Sequence, residues 1–231
     1  PIGLVAPVVV EAREGTIRAW VGPAAGTERM PHTRISHEGA DVFAGFYNRG
    51  LTLFESTDAK QVVPGVRFKV LSKALRHTLS RDAVVHDAEL TRALALVRRT
   101  AGAPLQDHLA STLASAARAA SKDGGFGGLD ALLAAAWSRL PKKRVVVPLI
   151  AARPGEAAIV DIATLVASDA PLYAAHDVDG AGRALVDRGT RILRAPGDGE
   201  QREHYANDLA AMTGKSVHFV EELATKLVPR S

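Results

Sequence analysis

The stretch that decides the fold runs Val66-Arg-Phe-Lys-Val-Leu71, Ser72-Lys-Ala-Leu-Arg-His-Thr-Leu79, Ser80-Arg81-Asp82, then Asp87-Ala-Glu-Leu-Thr-Arg-Ala-Leu-Ala-Leu-Val97. Its first part alternates polar and apolar residues, as a half-buried strand must. Its last part changes period: Leu90, Leu94, Val97 and Ala101 recur at three- and four-residue spacings, and Asp87 stands where it can accept the free amides of a first helical turn. Strand, short loop and amphipathic helix therefore follow one another, with Arg81 on the loop between two packed elements.

Outward from this stretch, the N-terminal side reads as β structure. Val8-Val-Val-Glu-Ala-Arg13 and Gly15-Thr-Ile-Arg-Ala-Trp-Val21 are β-branched runs broken at Glu14-Gly15, the grammar of a hairpin. Residues 22–39, rich in Gly, Pro, Thr and His, read as a loop. Gly50-Leu-Thr-Leu-Phe-Glu55 is a second alternating strand, with Pro64-Gly65 as a turn before Val66. Trp20, Phe43, Phe46 and Tyr47 read as core or strand-face residues. On the C-terminal side a second helix follows Pro104, with Leu105, Leu109, Leu113 and Ala116 on one face, and ends at Lys122-Asp-Gly-Gly-Phe-Gly-Gly128, a glycine-rich joint. Beyond it the spacing predicts helix over 129–137 and strand over 144–150. Asp161 is placed to cap a helix over 162–166. Strand (172–175), helix (181–188), strand (191–194), helix (200–212) and strand (216–220) then alternate, the pattern of a small α/β unit with parallel strands.

The 231 residues carry 47% hydrophobic content, ample for packed cores. The absence of cysteine excludes a disulfide framework and thiolate catalysis, and fits a reducing cytoplasm. No apolar run reaches the roughly 20 residues of a spanning helix. A soluble cytoplasmic protein without membrane contact is the expectation. Net charge is +4, but basic residues are interspersed with acidic ones; only Pro141-Lys142-Lys143-Arg144 forms a run, which reads as a solvated approach to a strand. Nucleic acid is accordingly a disfavoured partner, and 5% aromatic content is too little for a base-stacking platform. Leu227-Val-Pro-Arg-Ser231 has the look of a vector-derived protease-site tail.

Several motifs are incomplete. Thr213-Gly214-Lys215-Ser216 ends like a phosphate loop, yet the first glycine would have to stand at Leu209, inside a helix; Gly214 reads as a helix C-cap. Asp179-Gly180-Ala-Gly182 lacks the third glycine of a dinucleotide turn, Leu185 standing there. His32, His37 and Glu38 do not make a ligand set, no other histidine spacing fits a metal, and no Gly-x-Ser-x-Gly occurs, so no metal site is expected. What remains is Arg81. Its planar fork, charged at every working pH, suits the oxygens of a phosphate whose charge shifts during transfer. The plainer alternative is a surface ion pair with Asp82 or Glu89.

Thr78-Leu-Ser-Arg-Asp82 resembles the aliphatic-Ser-Arg-acidic motif of the middle domain of the heat-shock protein 90 chaperones (in bacteria, high-temperature protein G), where it follows a strand and opens a long amphipathic helix. Upstream, Thr16-Ile-Arg-Ala-Trp-Val-Gly-Pro23, Asp41-Val-Phe43 and Val62-Val-Pro64 before Phe68-Lys-Val70 are similar to family landmarks in the same order. Downstream, Val160-Asp-Ile-Ala-Thr-Leu165, Leu172-Tyr-Ala-Ala175 and Arg188-Gly-Thr-Arg-Ile-Leu193 are similar to its smaller subdomain. The resemblance implies an α/β fold, α+β in its first part: a larger α-β-α subdomain over 1–121, the joint at 122–128, a smaller α-β-α subdomain over 129–226 and the tail at 227–231. It implies that Arg81 is the catalytic arginine contacting the γ-phosphate of ATP, with Thr78, Ser80 and Asp82 supporting its loop. ATP and magnesium would be held by a separate N-terminal ATPase domain, this chain alone hydrolysing nothing. Client proteins, and a homodimer formed through an absent C-terminal region, are the other implied partners. Thr78 and Val85 depart from the family pattern, which has Asn and Gln there, as in a divergent bacterial relative. Two alternatives stay open: the second domain of a DNA-associated ATPase of mismatch-repair or topoisomerase type, which usually places a lysine on that loop, and a non-catalytic α/β interaction module.

Overall fold

A computed structural model of the chain describes residues 4–24, 43–56, 63–79, 83–123, 126–150, 158–177, 185, 190–197 and 199–220. The fold is α/β. Of the described residues, those up to Leu109 belong to one compact unit and those from Ala110 onward to a second.

The first unit is built on a five-stranded sheet in the order β1-β2-β5-β3-β4, formed by β1 (Val10–Glu14), β2 (Ile17–Pro23), β3 (Phe43–Asn48), β4 (Leu51–Ser56) and β5 (Val66–Leu71). The hairpin read at Glu14-Gly15 is present: β1 and β2 pair antiparallel from Val10 opposite Val21 to Glu14 opposite Ile17. Gly15 takes a left-handed φ of 56°, a conformation glycine adopts without a steric penalty. Pro64-Gly65 does precede a strand, but β5 does not lie beside β4. It inserts between β2, antiparallel, and β3, parallel. The reason lies in its side chains: Val66, Phe68 and Val70 are completely buried, so β5 belongs in the centre of the sheet, where both neighbours shield it. β3 carries Phe43, Phe46 and Tyr47, the residues expected on a core or strand face.

Across this sheet lies α1 (Ala88–Ala101), packed on β1, β2 and β5. Its N-cap is Asp87, as read from sequence, whose carboxyl accepts from the amides of Glu89 and Leu90, both at 3.0 Å. Leu90, Ala93, Leu96 and Val97 form the buried stripe. An ion pair from Arg99 to Glu14 ties the far end of the helix to β1. After Gly102, α2 (Ala103–Asp123) begins with Pro104 in its first turn, where a missing N–H costs nothing. The boundary between the units falls within α2, well ahead of the glycine-rich segment.

The second unit contains α3 (Leu129–Arg139), a 3-10 turn (Lys142–Arg144), β6 (Val146–Pro148), β7 (Ile159–Asp161), α4 (Ile162–Ala167), β8 (Leu172–Ala175), β9 (Ile192–Arg194), α5 (Gly199–Thr213) and β10 (Val217–Phe219). β10, β8 and β9 form a parallel sheet in that order, while β6 and β7 pair antiparallel. Asp161 caps α4, accepting from the Thr164 amide at 2.8 Å. The Lys142–Arg144 run is an unburied turn leading into β6. The helix read at 181–188 falls outside the described residues apart from Leu185. No helix among the described residues is long and apolar enough to cross a membrane.

Phe68 is fully buried in β5 and meets Phe46 edge to face, ring centres 5.6 Å apart. Phe68→Ala should cost the first unit about 3–5 kcal/mol, seen as a lower urea midpoint when unfolding is followed by Trp20 fluorescence. A loss below about 1 kcal/mol would contradict the central placement of β5.

Candidate functional site

The segment that joins β5 to α1 is fixed at both ends. At its start the Ser72 amide donates to the Tyr47 carbonyl at 3.1 Å, and the Ser72 hydroxyl donates to the Glu89 carboxyl in the first turn of α1. Ser72 and Glu89 are both buried. Asn48, at the end of β3, donates from its Nδ2 to the carbonyls of Lys73 (3.2 Å) and Leu75 (2.7 Å). Leu75 is itself fully buried. At the other end Asp87 caps α1 and accepts from Arg76 at 3.1 Å. The amide of Leu90 above all, then Arg76 and the Glu89 amide, hold the Asp87 carboxyl below its usual range.

Between these anchors the chain doubles back on itself. His77 and Val84 form an antiparallel bridge, the Thr78 amide donates to Ala83 O at 2.9 Å, and the Val85 amide donates to Arg76 O at 2.8 Å. The result is a short hairpin stem, residues 76–78 against 83–85. Val84 packs inward over a small cavity of about 100 Å³ lined by Phe46, Phe54, His86, Leu90 and Leu94. Leu79, just past the stem, is fully exposed. Ser80, Arg81 and Asp82 lie outside the described residues.

Thr78 and Val85, the positions where the sequence departs from the family pattern, are both stem residues. The Thr78 hydroxyl donates to the Ala83 carbonyl at 3.3 Å, and Val85 contributes through its backbone, so the stem closes without a side-chain amide at either place. The surface pairing considered between Arg81 and Glu89 meets a different Glu89: its carboxyl is buried and receives Ser72 and Arg92. Sequence reasoning missed this contact. Only a glutamate directly before the first residue of an apolar stripe, with a serine directly after a buried strand, could have hinted at it.

Other motifs resolve into structure. Lys215, in the phosphate-loop fragment, donates its Nζ to the carbonyls of Leu165 (2.7 Å) and Ser168, closing the C-terminal end of α4. Gly214 has a left-handed φ of 75° and its amide donates to Ala210, ending α5 as a C-cap. The 179–182 turn, His32 and His37 lie outside the described residues. Among the described residues no group of three or more His, Asp or Glu could hold a metal. The aromatic residues of the sheet face cations of the chain itself: Arg18 lies over Trp20 at 4.9 Å, and Lys69 over Phe43 and Tyr47 at 5.4 and 5.6 Å.

In the second unit burial raises the Asp130 carboxyl above its ordinary 3.8, against the opposing influence of His204. Burial, with Asp130 nearby, raises the Tyr205 phenol. Tyr205 packs edge to face on Phe126 with ring centres 5.6 Å apart, and its hydroxyl has no partner among the described residues. Because the folded value of Asp130 lies above the unfolded one, the native state keeps this proton over a pH range in which the unfolded chain has lost it. Stability falls as pH rises through that range, and the loss is complete above it. Asp130→Asn should therefore gain stability over the parent at neutral pH and not well below pH 3.8, measured by urea unfolding at both. A variant less stable than the parent at neutral pH would contradict this.

No protein-family profile matches the sequence, and no curated protein does. Among solved structures, the middle domain of a heat shock protein from Plasmodium falciparum is similar to this chain with a TM-score of 0.33 and 10% identity, over 94% of this chain and 88% of that one.

Proposed function

We propose that this chain is the middle segment of an ATP-dependent chaperone of the heat-shock protein 90 type, supplying Arg81 to ATP bound with magnesium on a separate N-terminal domain. The observation that supports this reading is the stem formed by residues 76–78 and 83–85. An arginine that must reach across to another domain's phosphate needs a rigid base, because every degree of freedom left in the base is lost entropy at the moment of contact. Here the base is held by the Thr78 and Val85 amides, by Asn48, and by the buried Ser72 and Glu89 pair. On this reading Arg81 donates to γ-phosphate oxygens, Ser80 and Asp82 steady the loop, and Thr78 closes the stem beneath it. The nucleotide belongs to the other domain: within the described residues the one phosphate-loop lysine, Lys215, is committed to helix carbonyls. Client proteins would be bound by surfaces of the same chain, with nucleotide state transmitted through the Arg81 loop.

Added to the ATP-binding domain of the same protein, this chain should raise ATP turnover, and Arg81→Ala should remove most of that stimulation, on the order of 10²-fold or more, with nucleotide affinity little changed. Equal stimulation by the parent and the Arg81→Ala chain would overturn the assignment. A salt-sensitive shift of duplex DNA by the chain would favour the DNA-associated alternative instead.

A further inference from the structure

A second feature of the first unit lies beside the stem and is independent of Arg81. The β3–β4 turn and the segment following β5 enclose an open groove of about 500 Å³. Arg49 and Leu51 line it from the turn, and Lys73, Arg76 and His77 from the segment, with Leu75 buried at the base. The groove is preformed. Asn48 binds the carbonyls of Lys73 and Leu75 and so fastens one wall to the other. The turn itself is tightly set, with Arg49 at φ 49° and Gly50 at φ 87°; a non-glycine residue is held in the left-handed region there at some conformational cost.

Its chemistry is one-sided. Among the described residues no carboxylate lines the groove. Arg76 is engaged by Asp87, whereas Arg49 and Lys73 form no ion pair among the described residues and are solvent-exposed. Between these cations Leu51 is 72% exposed, an apolar side chain in water that closer packing would bury. Exposed leucines taken singly need no explanation; one set between two exposed cations in a prebuilt groove matches an anionic, partly apolar ligand. Among the described residues no Phe, Tyr or Trp lines the groove, which disfavours stacked bases, and its concavity disfavours a flat lipid surface.

We propose that this groove binds an acidic peptide segment of a partner protein, its carboxylates meeting Arg49 and Lys73 and an apolar side chain lying against Leu51. The probe is a fluorescein-labelled peptide of glutamates flanking a leucine pair, followed by fluorescence anisotropy with the whole chain and no nucleotide. The peptide should bind, lose affinity as salt is raised, and lose about tenfold or more with the Arg49→Glu, Lys73→Glu double variant. Leu51→Ser should weaken it by about threefold or more. Both variants alter exposed side chains, and circular dichroism checks that they remain folded; if the charge reversal unfolds the chain, Leu51→Ser decides. Equal binding of the glutamine counterpart, an affinity unmoved by Leu51→Ser, or no binding up to about 1 mM peptide would overturn the proposal. So would tighter binding, through the same residues, of duplex DNA or of anionic lipid vesicles.

Discussion

The buried hydrogen bond from the Ser72 hydroxyl to the Glu89 carboxyl is the constraint on which the candidate site depends. Ser72 leaves the central strand β5, and Glu89 sits in the first turn of α1. Taking a carboxyl out of water is expensive unless its oxygens are satisfied, and here Ser72 and Arg92 supply the partners. Removing the serine hydroxyl would leave one oxygen buried with a lost partner, so the end of β5 and the start of α1 are held at a fixed separation. Everything between them, residues 73–88, must bridge two immovable points.

That requirement shapes the stem. A loop with fixed ends still has many paths, and each ordered residue costs roughly 1–2 kcal/mol of backbone entropy. The chain reduces the choice in steps: Leu75 fills the core, Asn48 fixes the carbonyls around it, His77 pairs with Val84, and Asp87 caps the helix while accepting Arg76. None of these contacts is strong alone. Together they fix both strands of the stem, 76–78 and 83–85, against the sheet and the helix. The groove beside the stem is a by-product of the same clamp, since Asn48 holds both of its walls.

Much of this was legible in the sequence where a local rule has one physical cause. Asp87 and Asp161 were readable as caps because an acidic residue before an apolar stripe has few other uses, and Gly15 and Gly214 because the chain must reverse or stop there. β5 could be recognised by its alternation, but its place between β2 and β3 could not, since pairing partners are chosen by tertiary packing and not by adjacency. Phe43-Ala-Gly-Phe-Tyr-Asn48 lacks alternation, so its aromatic residues were readable as strand-face while the strand itself was not. The Gly-rich segment 122–128 reads as a joint from composition, while the division into compact units falls within α2; these are different properties, composition marking where a backbone is free to turn and contacts marking where a core ends. Glu89 read as a surface partner for Arg81 and Lys215 as the end of an incomplete phosphate loop, because nothing local reveals a tertiary partner.

The central claim is that the stem flanking Arg81 in the sequence is preorganised through Ser72 and Glu89, and amide hydrogen exchange tests it most directly. In the parent chain the Thr78 and Val85 amides should exchange slowly, and Ser72→Ala should speed both while leaving the β2 amides unchanged. Exchange of Thr78 and Val85 at the rate of an unstructured peptide in the parent chain would contradict the account.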